Sequence, residues 1–211
     1  MKNKLGGLAR YTKEEKKRFE GSKPLLESLP YYPERFHLKY NKFEKPKAIE
    51  LIDTRRGKQI DLGSKKIVFG IAALPEEFTQ YDFLECPDGG ALIVHQRVLN
   101  IFNQVCTDDF QALPMVIKNL DPEGVKFENK DFWLINILNR FEVVDRNLST
   151  ITISPNGVEY VENKVLKDNA LGSHLLVIDD ITMYTIFHPS LAKYFINSRG
   201  VQFLTDEEAP I

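Results

Sequence analysis

The sequence predicts an α+β fold: a single domain in which a mixed or antiparallel sheet is packed by amphipathic helices. Three observations indicate this class. Short β-branched runs, such as IVFGI at 67–71 and LIV at 92–94, are typical of strands. An amphipathic helical pattern follows the second run directly, and turn signals rich in Pro and Gly separate many of the segments.

The helical pattern lies at 98–105. Val98, Ile101, Phe102 and Val105 recur at the i, i+3, i+4 and i+7 spacing that places them on one face of a helix. Residues 91–105 are therefore expected to form a strand followed directly by a helix.

The same unit recurs later in the chain. The segment IFHPSLAKYF at 186–195 aligns without gaps on IVHQRVLNIF at 93–102. We therefore predict two strand–helix units related by an internal repeat. His95 and His188 lie between strand and helix in both copies, where a polar side chain can serve a free helix end. A metal or acid/base role is the alternative, and a structural junction is the favoured interpretation.

The run FWLINIL at 132–138 holds the only tryptophan of the chain. Both sets of alternating positions in it are almost entirely apolar, which is typical of a central strand covered on both faces. We therefore expect buried core here rather than the floor of an active site. Asp145 lies at the polar end of the extended segment that follows.

The pattern Gly-Val-x-aromatic occurs three times, at Gly124, Gly157 and Gly200. The first two follow turn sequences that contain Pro, so each predicts a tight turn that opens a strand. Gly200 follows the second helix, where a left-handed backbone favours glycine.

Residues 1–47 differ from the rest because they are rich in Lys, Tyr and Pro. They are expected to form an N-terminal arm that is wrapped on the main body or partly mobile. A short helix over about 13–20 would begin at the capping box of Thr12 and Glu15. Residues 48–211 are expected to form the α+β domain itself.

Charge and hydropathy exclude several classes of function. A formal net charge of −2 provides no basic field for nucleic acid. The basic N-terminus lacks the continuous apolar core of a signal peptide, and no run approaches the roughly 18 apolar residues of a membrane helix. We therefore expect a cytoplasmic protein that binds neither nucleic acid nor membrane.

The strong catalytic motifs are absent, since there is no Gly-rich phosphate loop, HExxH, GxSxG or paired CxxC. Cys86 and Cys106 are expected to be reduced thiols. One alternative is a small enzyme in which Cys86 acts with a histidine that is near in space. The candidate histidines are His37, His95, His174 and His188.

Acidic doublets occur at 76–77, 108–109 and 179–180. None has the alternating oxygen ligands of a calcium loop, so loop and cap roles are expected for them. The sequence therefore predicts no catalytic, cofactor or metal site.

Several apolar motifs occur in a distinctive order. First, a strand at 91–94 leads into a helix. FWLINIL comes next and is followed by VVDR at 143–146 and by Ser149. MYTIF at 183–187 then leads into the second helix, and GVQF at 200–203 comes last. Residues 80–205 thereby resemble the family-eleven immunity proteins of bacterial polymorphic toxin systems. Those proteins usually carry Ser at the strand-to-helix junction, where this chain has His95 and His188, and the arm has no counterpart in them.

The resemblance implies a non-enzymatic protein that binds a cognate toxin domain and protects the producing cell and its kin. The shared motifs would be scaffold, with the toxin-facing surface elsewhere and its residues not predicted. Exposed candidates for that surface are Tyr31, Tyr32, Arg55, Arg56, Asp206, Glu207 and Glu208. A further alternative is an adaptor that binds a peptide through the arm.

Overall fold

The protein is seen in a computed structural model, which describes the backbone of two arm segments and most of the chain beyond residue 55. The described parts are 27–30, 39–40, 56–64, 67–71, 73–85, 92–119, 125–167 and 170–204. Across them, fourteen strands form three sheets with a few short helices, which confirms a broadly α+β fold. The helix expected at 13–20 and the turn at Gly124 lie outside these parts.

The larger sheet has seven strands and is mixed. Its order is β2 (Lys39–Tyr40), β3 (Ile67–Ile71), β6 (Phe110–Asn119), β8 (Phe132–Ile137), β5 (Leu92–His95) and β4 (Phe83–Glu85), with β7 (Glu128–Asn129) also paired to β6. Only β3 and β6 run parallel. The long β6 pairs with β8 through 110–114 and with β3 through 115–119. Pro114, which has no amide hydrogen to donate, lies exposed at this change of partner.

The second sheet has five strands and is also mixed. Its order is β14 (Val201–Leu204), β1 (Glu27–Pro30), β13 (Thr185–Phe187), β12 (Leu176–Asp179) and β9 (Arg140–Phe141), with β9 and β12 parallel. A segment of the arm is thus an interior strand, because β1 pairs with both β13 and β14. Deleting residues 1–45 would remove this strand, so a resulting loss of binding would not by itself identify the arm as a binding site.

The third sheet is a hairpin of β10 (Thr150–Ile153) and β11 (Glu159–Asn163). The turn between the strands is closed by the Gly157 amide, which donates to the Ser154 carbonyl at 2.9 Å. Gly157 has a φ of +81°, which few other residues adopt. The predicted turn followed by a strand is confirmed at this site.

The described parts contain three short α-helices, α1 (Pro75–Phe78), α2 (Gln96–Val105) and α3 (Pro189–Ala192), and two 3-10 helices, Thr107–Asp109 and Lys193–Phe195. The helix α2 follows β5 directly and α3 follows β13, as the sequence predicts. The two units lie in different sheets and their helices differ in length, and the internal repeat stays a prediction. Throughout the described parts of the chain, no helix is long and apolar enough to cross a membrane.

The largest hydrophobic core is shared by both large sheets and by α2 and α3. From β8 it contains Ile135 and Ile137, whereas Phe132 and Leu134 belong to a second core on the opposite face of the same sheet. This alternation confirms FWLINIL as a central strand covered on both faces. Its one polar member, Asn136, is fully buried and donates to the Lys58 carbonyl at 2.8 Å.

Candidate functional site

Cys106 ends α2 and is buried, at 5% exposure. Burial and the nearby carboxyl group of Asp109 raise the pKa of its thiol to about 12. A thiol becomes nucleophilic only as the thiolate, so Cys106 is a poor nucleophile at neutral pH. Cys86 and His37, which belong to the enzyme alternative, lie outside the described residues.

The low reactivity of Cys106 is directly testable. At pH 7.5 a thiol of pKa near 12 holds about a thousandfold less thiolate than a free cysteine. We therefore expect native Cys106 to alkylate at least about a thousandfold more slowly than free cysteine. Peptide-resolved mass spectrometry of the native protein separates its labelling from that of Cys86, and protein unfolded in guanidinium is the control. Rapid labelling of Cys106 in the native state would contradict the assignment.

His95 and His188 both serve as helix N-caps. The Nδ1 atom of His95 accepts a hydrogen bond from the Arg97 amide at 3.2 Å, and that of His188 accepts one from the Ser190 amide at 3.2 Å. The two side chains thus do what the sequence indicates for a strand-to-helix junction.

His174 takes a different role, beside the buried Asp109. The Nδ1 atom of His174 lies 2.7 Å from Oδ1 of Asp109, which also accepts from the side-chain amide of Asn139 at 2.7 Å. The other carboxyl oxygen accepts from the Leu175 and Leu176 amides at 2.6 and 3.2 Å. Asp109 therefore fixes the entry into β12, and its oxygens are occupied by donors from the protein.

The other acidic doublets are also engaged in local hydrogen bonds. Glu77 accepts from the Leu74 amide at the start of α1, at 2.9 Å. Asp179 is fully buried and accepts from several backbone amides, and its neighbour Asp180 pairs with Arg140. These contacts fit the expected loop and cap roles. Within the described ranges, no group of three or more His, Cys, Asp or Glu is placed to hold a metal ion.

The Asp145 side chain likewise accepts hydrogen bonds from backbone amides. Its Oδ1 accepts from the Asn147 amide at 2.9 Å and from the Leu148 amide at 3.3 Å, so it caps the turn that leads into β10.

The hairpin of β10 and β11 carries three exposed apolar side chains. We call Ile153, Val158 and Tyr160 the hairpin surface; their exposed fractions are 67%, 46% and 54%. Tyr160 lies opposite Thr152 and Ile153 lies opposite Glu159, so Val158 and Tyr160 share one face of the hairpin and Ile153 lies on the other. In the described structure, each hairpin strand pairs only with the other. Residues 147–158 (NLSTITISPNGV) contain no charged side chain, although 27% of the whole chain is charged. Interface cores share this lack of charge.

Ion pairs hold the base of the hairpin against the body. The Arg146 guanidinium donates to Glu159 of β11 at 2.9 and 3.0 Å and to Glu142 at 2.8 Å, and Lys167 donates to Glu142 at 3.1 Å. The hydrogen bonds from Arg146 lower the pKa of Glu142 and of Glu159 and raise that of Arg146. These groups are solvent-accessible, so the pairs contribute little stability; their effect is to orient the hairpin.

Val161 and nearby side chains fix one side of the hairpin. Val161 packs against the third hydrophobic core, which contains Val143, Val144 and Leu166. The hairpin surface is therefore carried on an element anchored by both packing and charge.

None of the candidates named from the sequence belongs to the hairpin surface. Of those candidates only Arg56 is within the described residues, and it is exposed. The uncharged run at 147–158 is the signal that points to the hairpin.

Comparison with known proteins gives no match to any protein-family model and no significant match among curated proteins.

Proposed function

We propose that this protein is a non-enzymatic immunity protein, which binds a cognate secreted toxin domain of a bacterial polymorphic toxin system and neutralises it in the cytoplasm. The observation that carries the proposal is the hairpin surface: exposed apolar side chains on an anchored hairpin whose residues 147–158 carry no charge. The ordered motifs at 80–205, which resemble the family-eleven immunity proteins, supply the class of partner.

The hairpin surface has the properties of an interface core. Aromatic and aliphatic anchors provide most binding energy when a partner covers them, and charged residues are depleted at the centre of such a patch. Because the hairpin base is already held by Arg146 and Val161, less conformational entropy is lost when the partner binds. A partner would need to cover about 800 Å² on this protein for a standard interface.

The enzyme alternative relies on Cys86, which lies outside the described residues; the described thiol is that of Cys106. Cys106 is buried, and the histidines at 95 and 188 use Nδ1 to cap helices. Neither histidine is thereby placed as the base of a Cys106 nucleophile. The adaptor alternative depends on the arm, and β1 is part of a sheet interior.

The test of the proposal is isothermal titration of the full chain with the C-terminal domain of the secreted protein encoded next to it. We expect nanomolar affinity at a fixed stoichiometry and loss of the toxin's activity in the complex. No binding to that domain would overturn the proposal.

A second experiment locates the binding surface. We expect the double variant Val158→Ser and Tyr160→Ser to weaken binding roughly a thousandfold, because these anchors share one face of the hairpin and each lost anchor removes roughly 2 kcal/mol. A matched control is Ile196→Ser with Tyr194→Ser, a similarly exposed pair outside the hairpin, at 62% and 49% exposure. The control should bind normally. Equal affinity of both variants and the parent would exclude the hairpin as the binding surface.

A further inference from the structure

His95 holds the junction between β5 and α2 only while its Nδ1 atom carries no proton. The Arg97 amide donates to this atom at 3.2 Å, so Nδ1 must be an acceptor. Protonation of the ring would turn Nδ1 into a donor facing another donor. It would also place a positive charge at the positive end of the α2 dipole.

His188 has the same arrangement at the start of α3. Its Nδ1 atom faces the Ser190 amide at 3.2 Å and the Ser190 hydroxyl at 2.7 Å. The amide can only donate, so this ring too must be unprotonated at Nδ1. In the described chain, Ser190 is the one polar side chain in hydrogen-bond contact with the His188 ring.

The two capped segments meet in one core. Val98, Leu99 and Phe102 of α2 and Leu191 of α3 belong to the core shared by both sheets. The ring of Phe102 also meets that of Phe195, just beyond α3, edge to face with 5.4 Å between centroids. Loss of either cap therefore loosens packing that the other helix uses.

The groups around His95 oppose its protonation on balance. The pKa of His95 is lowered, mainly by burial and to a smaller extent by the Arg97 guanidinium. Asp131 and Asp82 raise it by less. Both carboxyl groups also have other donors: Asp82 binds the Arg97 guanidinium and the Arg199 amide, and Asp131 accepts from the Asn129 side chain at 2.8 Å.

We propose that His95 is a pH-responsive cap, which holds α2 on the shared core at neutral pH and releases it in mild acid while the central strands stay ordered. The inference is independent of the proposed toxin partner.

The direction of the pH effect follows from proton linkage. The folded state binds a proton at His95 more weakly than the unfolded state, because its pKa is lowered on folding. The contribution of this histidine to stability is therefore fully present above the unfolded pKa of about 6.5 and is lost as the pH falls through the lower folded pKa.

Hydrogen exchange of the full chain, corrected for intrinsic rates, tests the proposal. Between pH 7.5 and 5.5 we expect protection to fall roughly tenfold in peptides covering 96–105, the effect of losing one cap and adding an unfavourable charge. Protection in β6 and β8 should change far less. The variant His95→Asn should abolish the pH response of α2, since Asn caps helices without titrating near neutral pH. His174→Gln is the matched control, because it replaces a histidine that is no cap, and it should keep the full response.

An unchanged acid response in the His95→Asn variant would overturn the proposal, as would simultaneous loss of protection in β6 and β8. A measurement on the unmodified protein tests the proposal even if the variant fails to fold. Ring nitrogen NMR should show His95 unprotonated at Nδ1 at pH 7.5, with protonation of its ring and opening of α2 sharing one midpoint. Ring protonation without helix opening would also reject the proposal.

Discussion

Asp179→Ala is expected to lower the free energy of unfolding by about 4 kcal/mol, because it leaves several buried donors without an acceptor. The carboxyl group accepts from the amides of Val143, Val144, Ile181 and Thr182 and from the Thr182 hydroxyl, at 2.7–3.3 Å. The side chain is fully buried, so water cannot replace these bonds without opening the structure. Chemical denaturation monitored by tryptophan fluorescence measures the loss.

The neighbouring residue provides the control for this prediction. Asp180 is exposed and its side chain pairs with that of Arg140. Asp180→Ala should therefore cost no more than about 1 kcal/mol. Equal losses in the two variants would show that Asp179 does not organise the loops around it.

Gly200→Ala is expected to cost about 3 kcal/mol or more, since a clash adds to an unfavourable backbone conformation. Gly200 has a φ of +91°, and an added Cβ would lie 2.0 Å from the Phe83 carbonyl oxygen. That contact is with backbone, which is held by the bond from the Phe83 amide to the Arg199 carbonyl at 3.0 Å. A thermal melt should shift down by about 2–4 °C for each kcal/mol lost.

Gly157→Ala measures the cost of the backbone conformation without the cost of a clash. Its φ is +81°, but no atom lies within 4 Å of an added Cβ. Only the backbone cost remains, about 1–2 kcal/mol. If Gly200→Ala were no worse than Gly157→Ala, the close approach to β4 would not be a constraint on the fold.

Several elements could be predicted because their signals are local. The alternation in FWLINIL identified a central strand, and the spacing of Val98 and Phe102 identified the buried face of α2. The helix prediction was incomplete, because Leu99 is buried while Ile101 and Val105 are only partly buried. Contacts with a second sheet, which periodicity does not report, widened the buried face.

The candidate site was harder to predict than the core. The turn at Gly157 followed from its sequence, but Ile153 and Tyr160 are exposed because nothing in the described structure packs closely over them. A strand pattern alone gives the same expectation for a buried and for an exposed hairpin. The elements that pack over each face decide between them.

The sequence by itself determined the α+β class, the central strand, the strand-to-helix junctions at His95 and His188, and the glycine turns. These features follow from side-chain periodicity and from the dihedral preferences of a few adjacent residues. Only the tertiary structure decided that β1 lies in a sheet between β13 and β14 and that Asp109 and Asp179 are buried acceptors. It also decided that Ile153 and Tyr160 of the hairpin are exposed. Those features arise from contacts between segments far apart in the chain, where packing and hydrogen-bond satisfaction over the whole domain override local preference.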